Sequence, residues 1–481
     1  MNTQNEKMTN YRWVICSMLF FATTVNYMDR QVLSLTWKDF IAPEFHWTNA
    51  DYGNITATFS IIYALAMLFA GKFVDWMDTK KGYLWSIGVW SFGACLHALC
   101  GIGTEWVVGL DSAEALRIAE GADLVAKIAS ISVTFFIIAR FVLAVGEAGN
   151  FPAAIKATAE FFPKKDRAFA TSIFNAGATV GALAAPVSIP FIAASFGWEL
   201  AFLIIGALGF VWMGFWVFIY KKPEAHPRVN ASELSYIRQD NDHEPAGTTE
   251  APAKKMPFMQ CFTYKQTWAF AFGKFMTDGV WWFFLFWTPA YLSSVYGLDS
   301  TQSAPQIFVL YLITLLSIVG GWLPTYFVEK KGMHPYAGRM RSMLIFAFFP
   351  LLALLAQPLG GMTEEFGALA VWFPVVIIGI AGAAHQAWSA NIFSTVGDMF
   401  PRSAIATVTG IGGMAGGVGA FVINMSSGVL FDYATNTQMQ FMGFKGIEAG
   451  YFIIFSICAV SYLIGWVVMK MLVPTYKKIN L

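Results

Sequence analysis

Long apolar runs alternate with short polar connections along the whole chain. Runs of roughly 18–30 apolar residues have the length of helices that cross a bilayer. Twelve such runs lie at about residues 12–36, 51–75, 83–103, 130–157, 168–193, 199–220, 267–294, 305–328, 341–357, 368–397, 404–430 and 449–473. We therefore predict an all-α membrane protein with twelve transmembrane helices.

Lysine and arginine residues gather in every second connection. They include Lys80, Lys81, Lys164, Lys165, Arg167, Lys221, Lys222, Lys254, Lys255, Lys265, Lys330, Lys331, Arg339, Arg341, Arg402, Lys477 and Lys478. Short connections rich in these residues stay on the cytoplasmic side of a membrane. The pattern predicts a multi-pass protein of the cell (inner) membrane with both termini in the cytoplasm.

Two polar segments interrupt the regular spacing of the apolar runs. Residues 221–266 are rich in charge, Pro and Thr, which is typical of an exposed cytoplasmic linker, and ASELSYIRQ within them favours one short helix. Residues 104–127 carry five acidic and two basic residues and form a predicted extracytoplasmic insertion. Its helical periodicity favours a surface helix or an outward extension of the fourth transmembrane helix.

The two halves of the chain, residues 1–220 and 267–481, contain similar sequence segments at corresponding positions. EFFPKKDRAFATSIFNAGATVG begins at Glu160, and DMFPRSAIATVTGIGGMAGGVG begins at Asp398. GKFVDWMDTKKG follows the second apolar run, and GGWLPTYFVEKKG follows the eighth. A repeat at half the chain length, with six spans in each copy, predicts two six-helix bundles of duplicated origin.

Composition narrows the class of function. Hydrophobic residues make up 57% of the chain and charged residues 13%, whereas soluble domains have roughly 25% charged residues. The net charge of +1 and the lack of a basic tract argue against nucleic acid as a partner. We find no metal-ligand cluster, nucleophile elbow or phosphate loop, and the five cysteines lack metal or redox spacing. We therefore expect a monomeric protein that is not an enzyme and holds no cofactor. A transporter-like sensor or a membrane enzyme is the alternative from another class.

The fourth apolar run carries two charges that need an explanation. Arg140 and Glu147 are seven residues apart, so they share a helix face about 10.5 Å apart along the axis. A charge at the bilayer centre costs roughly 2.5–3.5 kcal/mol on insertion scales. Gly146 and Gly149 allow another helix to come close. The pair indicates a water-accessible interior site, with a structural ion pair as the alternative.

Several segments resemble a known family. The twelve spans, the two halves and the GxxxD loop at Gly71–Asp75 resemble the major facilitator superfamily. This loop departs from the family pattern, because Trp76 stands where a basic residue is usual and Asp78 where glycine is usual. The departure leaves the loop's usual salt-bridge gating role open.

Longer segments carry a finer resemblance. NYMDRQVLS in the first helix, GNFPAAIKATAEFFPKKDRAFA after Glu147 and GWELAFLIIGALGFVWMGFWVFIYKKP resemble the anion:cation symporter family. AHQAWSANIFSTVGDMF (384–400) and FNAGATVGA (174–182) are most similar to bacterial hexuronate transporters. The resemblance implies import of a hexuronate, galacturonate or glucuronate, by proton symport with alternating access. Another sugar acid (an aldonate or aldarate), another organic anion, or sodium coupling is the alternative.

The resemblance also implies roles for four charged residues. It assigns the substrate carboxylate to Arg30, whose guanidinium matches a carboxylate in two hydrogen bonds. Snorkelling of Arg30 towards the outer membrane surface is the alternative. It assigns proton coupling to Asp29 and Glu147, with Arg140 near Glu147 as its modulator.

The expected polar contacts to the sugar come from both halves. They are Asn26, Tyr63, Asn175, Trp281, His385, Gln386 and Ser389, with Tyr63 assigned by the resemblance. Lys274 and Asp278 are four residues apart, and we expect them to satisfy each other as a structural pair. Ala178 and Gly413 stand where aldonate carriers of the family have polar residues, which disfavours an aldonate.

Overall fold

The computed structural model describes residues 7–239 and 256–479. In the first half the helices are α1 (Tyr11–Thr36), α2 (Ala42–Phe45), α3 (Asn49–Met77), α4 (Thr79–Ala98), α5 (Cys100–Val108), α6 (Ala113–Arg117), α7 (Ala122–Glu147), α8 (Asn150–Phe161), α9 (Lys164–Phe196) and α10 (Trp198–Ile219). A π-helical turn, Trp37–Ile41, joins α1 to α2, and a 3₁₀ turn, Pro223–Ala225, follows α10.

The connection between the halves contains α11 (Ala231–Arg238) and α12 (Phe258–Cys261). In the second half the helices are α13 (Lys265–Tyr296), α14 (Ala304–Thr314), α15 (Val319–Lys331), α16 (Pro335–Phe348), α17 (Ala356–Gly360), α18 (Thr363–Phe366), α19 (Trp372–Met399), α20 (Arg402–Thr437) and α21 (Ile447–Leu472). Three 3₁₀ segments, Leu315–Ile318, Phe349–Leu355 and Gly367–Leu369, continue or join these helices. The strands β1 (Gln440–Phe441) and β2 (Phe444–Lys445) form a small antiparallel hairpin before α21.

The long helices fall close to the predicted apolar runs. Nine helical segments in the described ranges are long and apolar enough to cross a membrane, and the bent pair α4–α5 makes a tenth. The two remaining long helices, α1 and α13, carry the charged residues Asp29, Arg30, Lys274 and Asp278, which lower their hydropathy. The helices that are least apolar are therefore those that bear candidate site residues.

The insertion is helical over most of its length, as its periodicity predicts. The third span continues outward as α5, and the fourth begins at Ala122 inside the predicted insertion. Gly109 and Gly121 adopt φ values of 81° and 97°, which favour glycine and separate α5 from α6 and α6 from α7. The predicted surface helix is α6, and the predicted outward extension of the fourth helix is the beginning of α7.

The insertion packs on the connection between α1 and α3. The carbonyl oxygen of Leu116 lies 2.9 Å from Nε2 of His46, and Arg117 lies 3.9 Å from Glu44. The Trp198 indole N–H donates to the Glu44 carboxylate over 3.0 Å. Burial raises the pKa of Glu44 to about 7, and the bond from Trp198 opposes this rise. These contacts stabilise the position of the connection that leads into α3.

The predicted short helix in the linker is confirmed as α11. Glu233 on α11 is fully buried and accepts hydrogen bonds from the backbone N–H groups of Tyr11 and Arg12 over 3.0 and 3.1 Å. It also forms an ion pair of 3.0 Å with the Arg12 guanidinium. A carboxylate at the first N–H groups of a helix satisfies donors that have no partner inside the helix. The linker helix is therefore fixed to the start of α1.

Both ends of the described chain lie at one end of the bundle, which we call the terminal face. We call the other end the opposite face; it contains residues 37–48, the insertion and residues 297–303. At the terminal face, Glu160 accepts hydrogen bonds from Thr79 and Tyr220 within the first half. Arg339 and Asp398 pair over 2.7 Å within the second half.

The halves are joined by polar contacts at the opposite face. Asp432, at the end of α20, accepts hydrogen bonds from the backbone N–H groups of Asn49 and Ala50 over 2.9 and 2.6 Å. Conversely, Asp39 of the first half accepts a hydrogen bond from the backbone N–H of Ser300 in the second half over 2.6 Å. We call these two carboxylates the opposite-face clasp. A carboxylate at a helix N-terminus is favourable, so the clasp stabilises closure of this face.

Aromatic side chains extend the closure inward from the clasp. Trp37 stacks on Tyr52 with ring centroids 4.1 Å apart, and Trp287 of the second half meets Tyr52 edge-on at 5.0 Å. The Tyr52 hydroxyl donates to the carbonyl oxygen of Phe286 over 2.7 Å. At Gly428 an added Cβ would lie 2.4 Å from the carbonyl oxygen of Asn49, so glycine permits α20 to touch α3.

Candidate functional site

A buried ion pair lies between α1 and α7. The Arg30 guanidinium donates to Oε2 of Glu147 through Nη2 and Nε over 2.7 and 3.0 Å. Arg30 is 5% exposed and Glu147 1% exposed. The second oxygen of Glu147 has no hydrogen-bond partner in the described part of the chain. Glu147 is thus hydrogen-bonded to Arg30, a residue 117 positions away in the sequence.

Aromatic rings surround the Arg30 guanidinium. Its Cζ lies 4.8 Å from the ring centroid of Tyr63, 5.1 Å from that of Tyr27 and 5.3 Å from that of Trp282. Trp282 belongs to the second half, so Arg30 lies where the halves meet. Such rings attract a cation and leave a flat apolar surface beside it.

Asn26, Asp29 and Arg140 are further buried polar residues inside the first half, and Asn26 lies about one helical turn before Asp29 on α1. Their exposed fractions are 0%, 0% and 2%. Both carboxylate oxygens of Asp29, both polar atoms of the Asn26 amide, and Nε and Nη1 of Arg140 lack a hydrogen-bond partner among the residues that the structure describes. Buried polar atoms rarely stay unpaired without a functional reason, so these residues are candidates for exchange of protons or partners.

In the second half, His385 is held by two neighbours. Its Nδ1 lies 2.7 Å from the Tyr462 hydroxyl, and its ring stacks on Trp281 with centroids 5.3 Å apart. His385 is 4% exposed. Trp281 therefore lies against His385, whereas the adjacent Trp282 lies beside Arg30.

The other predicted contacts to the sugar differ in exposure. Gln386 and Ser389 on α19 are partly exposed. Asn175 on α9 is exposed, on the side away from Gly177, whose added Cβ would meet the Phe20 carbonyl at 2.4 Å. The structure brings Tyr63 to Arg30 and Trp281 to His385, whereas Asn175 is exposed.

Lys274 and Asp278 form the ion pair that their spacing predicts. The ammonium lies 2.7 Å from Oδ2 of Asp278, and both side chains are largely buried. Phe59 lies beside Arg30 and Tyr462 contacts His385, and neither was selected by the sequence analysis. Phe59 could have been selected from sequence, because it lies one helical turn before Tyr63 and shares its helix face. Tyr462 lies within an apolar run, and no sequence pattern distinguishes it from its neighbours.

The chain matches the family model described as "Major Facilitator Superfamily" over residues 19–424. The chain belongs to this superfamily. The facilitator fold agrees with the two six-helix bundles that the sequence predicts, and it makes this protein a multi-pass membrane transporter and not an enzyme.

Curated relatives are similar over most of their length. A hexuronate transporter of Escherichia coli (strain K12) is 27% identical over 427 residues, which are 89% of each chain. A galacturonate transporter of Dickeya chrysanthemi is 27% identical over 76% of this chain and 95% of its own. A probable galactarate/D-glucarate transporter of Escherichia coli (strain K12) is 25% identical over 93% and 94%. This facilitator is thus related to transporters of sugar-acid anions.

Solved structures support the same fold. A bacterial homologue of the human lysosomal transporter Spinster, in an inward-facing and occupied conformation, has a TM-score of 0.66 at 18% identity, with 98% of each chain covered. A D-xylose-proton symporter has a TM-score of 0.63 at 15% identity, with 95% of this chain and 98% of its own covered.

The loop after α3 shows how this facilitator departs from the family pattern. Asp78, at the position where the family has glycine, has a φ of 69°, a conformation that glycine adopts most easily. Its carboxylate accepts a hydrogen bond from the Thr79 N–H over 2.9 Å and pairs with Lys222 over 3.3 Å. The aspartate thus keeps the turn and caps α4. The side chain of Asp75 lies outside the described residues.

Proposed function

We propose that this facilitator imports a hexuronate, galacturonate or glucuronate, together with protons. The observation that carries the proposal is the buried Arg30–Glu147 pair, enclosed by aromatic rings from both halves. A hexuronate has one carboxylate, a ring with apolar faces and several hydroxyl groups. A guanidinium beside Tyr63 and Trp282 offers a matching cation and a matching flat surface.

Coupling follows from competition for Arg30. A substrate carboxylate that binds the guanidinium displaces Glu147, and the displaced carboxylate takes a proton because a buried unpaired charge is costly. Asp29 supplies a second protonation site, with Arg140 as the nearby cation. Import of one anion against a negative interior costs about 2.3 kcal/mol per 100 mV. One proton makes the step electroneutral, and two allow the membrane potential to drive it.

The transport cycle exposes the site on alternate sides of the membrane. The positively charged loops favour the cytoplasm for the terminal face, so the opposite face would be extracytoplasmic. With the opposite-face clasp closed, the Arg30 site would have no access to the extracytoplasmic side. Import then requires that both carboxylates of the clasp release their backbone partners in every cycle.

Replacing Asp432 by asparagine is expected to favour opening of the opposite face. The variant loses the negative charge at the start of α3. It also loses one of the two carboxylate oxygens that accept the backbone N–H groups of Asn49 and Ala50, and each bond to a charged group contributes about 1.5–3 kcal/mol. A cysteine at Ser300, which is 4% exposed, should react several-fold faster with a membrane-impermeant maleimide in a background without other cysteines.

Asp51→Asn is the matched control for this measurement. Asp51 accepts hydrogen bonds from Thr48 at the same end of α3, within the first half. Its replacement should leave the labelling rate of the cysteine close to that of the parent protein. Equal rates in the parent and the Asp432 variant would show that the clasp does not hold this face closed.

Transport in vesicles tests the substrate and the ion together. Purified protein in proteoliposomes is expected to exchange galacturonate and glucuronate, and to accumulate them when the outer solution is acidic. A sodium gradient at constant pH should drive no accumulation. Lack of binding and exchange of both hexuronates would overturn the substrate, and accumulation driven by sodium alone would overturn the ion.

An aldarate is the second candidate, because relatives include probable galactarate/D-glucarate transporters. An aldarate has a carboxylate at each end and would place the second one against the second half of the protein. Exchange of galactarate without exchange of galacturonate in the same vesicles would favour it.

A further inference from the structure

The Lys274–Asp278 pair has a feature that a purely structural pair does not need. Lys274 contacts Oδ2 of Asp278, whereas Oδ1 is buried and has no hydrogen-bond partner in the described part of the chain. Lys274 lies 4.3 Å from the ring centroid of Phe393 on α19. Compared with apolar residues of the same volume, a buried ion pair contributes little or nothing to stability. An unused carboxylate oxygen is an additional cost.

Glycines of α20 define the space beside this pair. At Gly416 an added Cβ would lie 2.2 Å from Oδ2 of Asp278, and at Gly417 it would lie 2.2 Å from Cβ of Ala64 on α3. Gly413 precedes these two residues by three and four positions, so it shares a helix face with both. An added Cβ at Gly413 meets no atom within 4 Å. Open space therefore lies between α13 and α3, which belong to different halves.

This space is near the Arg30 site. Trp282 follows Asp278 by four residues, one turn or about 6 Å along α13, and its ring lies 5.3 Å from the Arg30 guanidinium. The two residues also share a face of α13. A sugar acid whose carboxylate contacts Arg30 and whose ring lies on Trp282 would extend towards Asp278.

We propose that Lys274 and Asp278 form a subsite for sugar hydroxyl groups in the second half of the protein, and that this subsite selects polyhydroxylated anions. The proposal rests on the proposed transport of a sugar acid. A hydroxyl group donates one hydrogen bond and accepts others. The sugar hydroxyl donates a hydrogen bond to the free Asp278 oxygen, and the Lys274 ammonium donates a hydrogen bond to the hydroxyl oxygen. Because the pair is neutral, it adds no second site for a carboxylate.

Asp278→Asn tests the subsite by its selectivity. In competition against labelled galacturonate in counterflow, the variant should bind galacturonate about tenfold or more weakly, since it loses a bond to a charged group. The monodeoxy galacturonate that lacks the bonded hydroxyl should bind wild type and variant with similar affinity. Because the variant leaves the Lys274 cation unpaired, its preference for galactarate over galacturonate should increase.

The double variant Lys274→Met, Asp278→Asn separates this role from a structural one. It is neutral, so it should retain a melting temperature close to that of wild type, lose affinity for galacturonate and gain no preference for galactarate. An equal loss of affinity for galacturonate and every monodeoxy analogue, accompanied by lower thermal stability, would show that the pair is structural only.

Gly413→Leu tests the open space without changing a charge. The leucine side chain should fill the space beside Asp278 and lower the affinity for galacturonate, with little change in melting temperature. Gly214→Leu is the matched control, because Gly214 on α10 also has no atom within 4 Å of an added Cβ. Wild-type affinity in Gly413→Leu would exclude the sugar from this space.

Failure of the subsite and failure of the proposed substrate give different results. If wild type exchanges galactarate but no hexuronate, the hexuronate assignment fails, and the same variants test the hydroxyl subsite with galactarate and its deoxy analogues. If wild type exchanges hexuronates and the variants retain its selectivity, the subsite alone is wrong. Wild type that exchanges no polyhydroxylated anion overturns both proposals.

Discussion

Arg30→Ala is expected to abolish detectable binding and exchange of galacturonate. Two charge-assisted hydrogen bonds to the substrate carboxylate are lost, and each contributes about 1.5–3 kcal/mol, so the affinity should fall by at least a hundredfold. The aromatic rings around Arg30 also lose the cation that they enclose. Counterflow of labelled galacturonate and thermal-shift binding measure the effect.

Arg12→Ala is the matched control for Arg30→Ala. Arg12 also forms a buried ion pair with a glutamate, Glu233, over 3.0 Å, but at the terminal face. Both variants leave a buried carboxylate without its arginine and should lose thermal stability, whereas only Arg30→Ala should lose the substrate. Arg30→Lys should recover part of the binding, because lysine keeps the charge without the two parallel bonds. Wild-type affinity in Arg30→Ala would assign Arg30 a structural role.

Glu147→Gln is expected to retain exchange of galacturonate and to lose accumulation driven by an inward proton gradient. Glutamine preserves the volume of the side chain and an oxygen that accepts hydrogen bonds from Arg30. Its amide group, however, does not bind and release a proton as a carboxylate does. The two activities are measured in the same proteoliposomes, as counterflow at equal pH and as uptake with an acidic outer solution.

The two carboxylates of the first half can be compared through the same assay. Asp29→Asn should lose accumulation as well if both acids carry protons, and it should keep accumulation if Glu147 alone does. Glu233→Gln changes a buried glutamate of the linker helix and should affect neither activity. Full accumulation by the Glu147→Gln variant would remove this residue from proton coupling.

The transmembrane helices follow from the sequence because a bilayer imposes one length on every span. The fold class and the short helix α11 are therefore predicted from local patterns alone. The pair Lys274–Asp278 is also predictable, because residues four apart on a helix face each other. Each of these features depends on residues that are close in sequence.

The contacts within the site depend on how each helix is rotated about its own axis relative to its neighbours. The composition of a helix does not specify this rotation. Arg30 and Glu147 are both selected from sequence, but their direct pairing joins two helices and is visible only in the structure. Adjacent residues on a helix point about 100° apart, so Trp281 and Trp282 face different partners, and the sequence analysis selected Trp281. The hairpin β1–β2 was not predicted, because strands of two residues have no measurable periodicity.

The opposite-face clasp has an asymmetry that concerns how the transporter can be tuned. Its donors at Ala50 and Ser300 are main-chain N–H groups, which every amino acid except proline supplies. Asn49 donates both its main-chain N–H and its side-chain amide to Asp432, and the Ser293 hydroxyl donates to Asp39. Substitutions at positions 50 and 300 therefore leave the clasp largely in place, and its strength depends on the acidic side chains at positions 39 and 432 and on their side-chain donors at positions 49 and 293. Selection or design that adjusts the rate of opening at this face can therefore act through four short polar side chains, at positions 39, 49, 293 and 432.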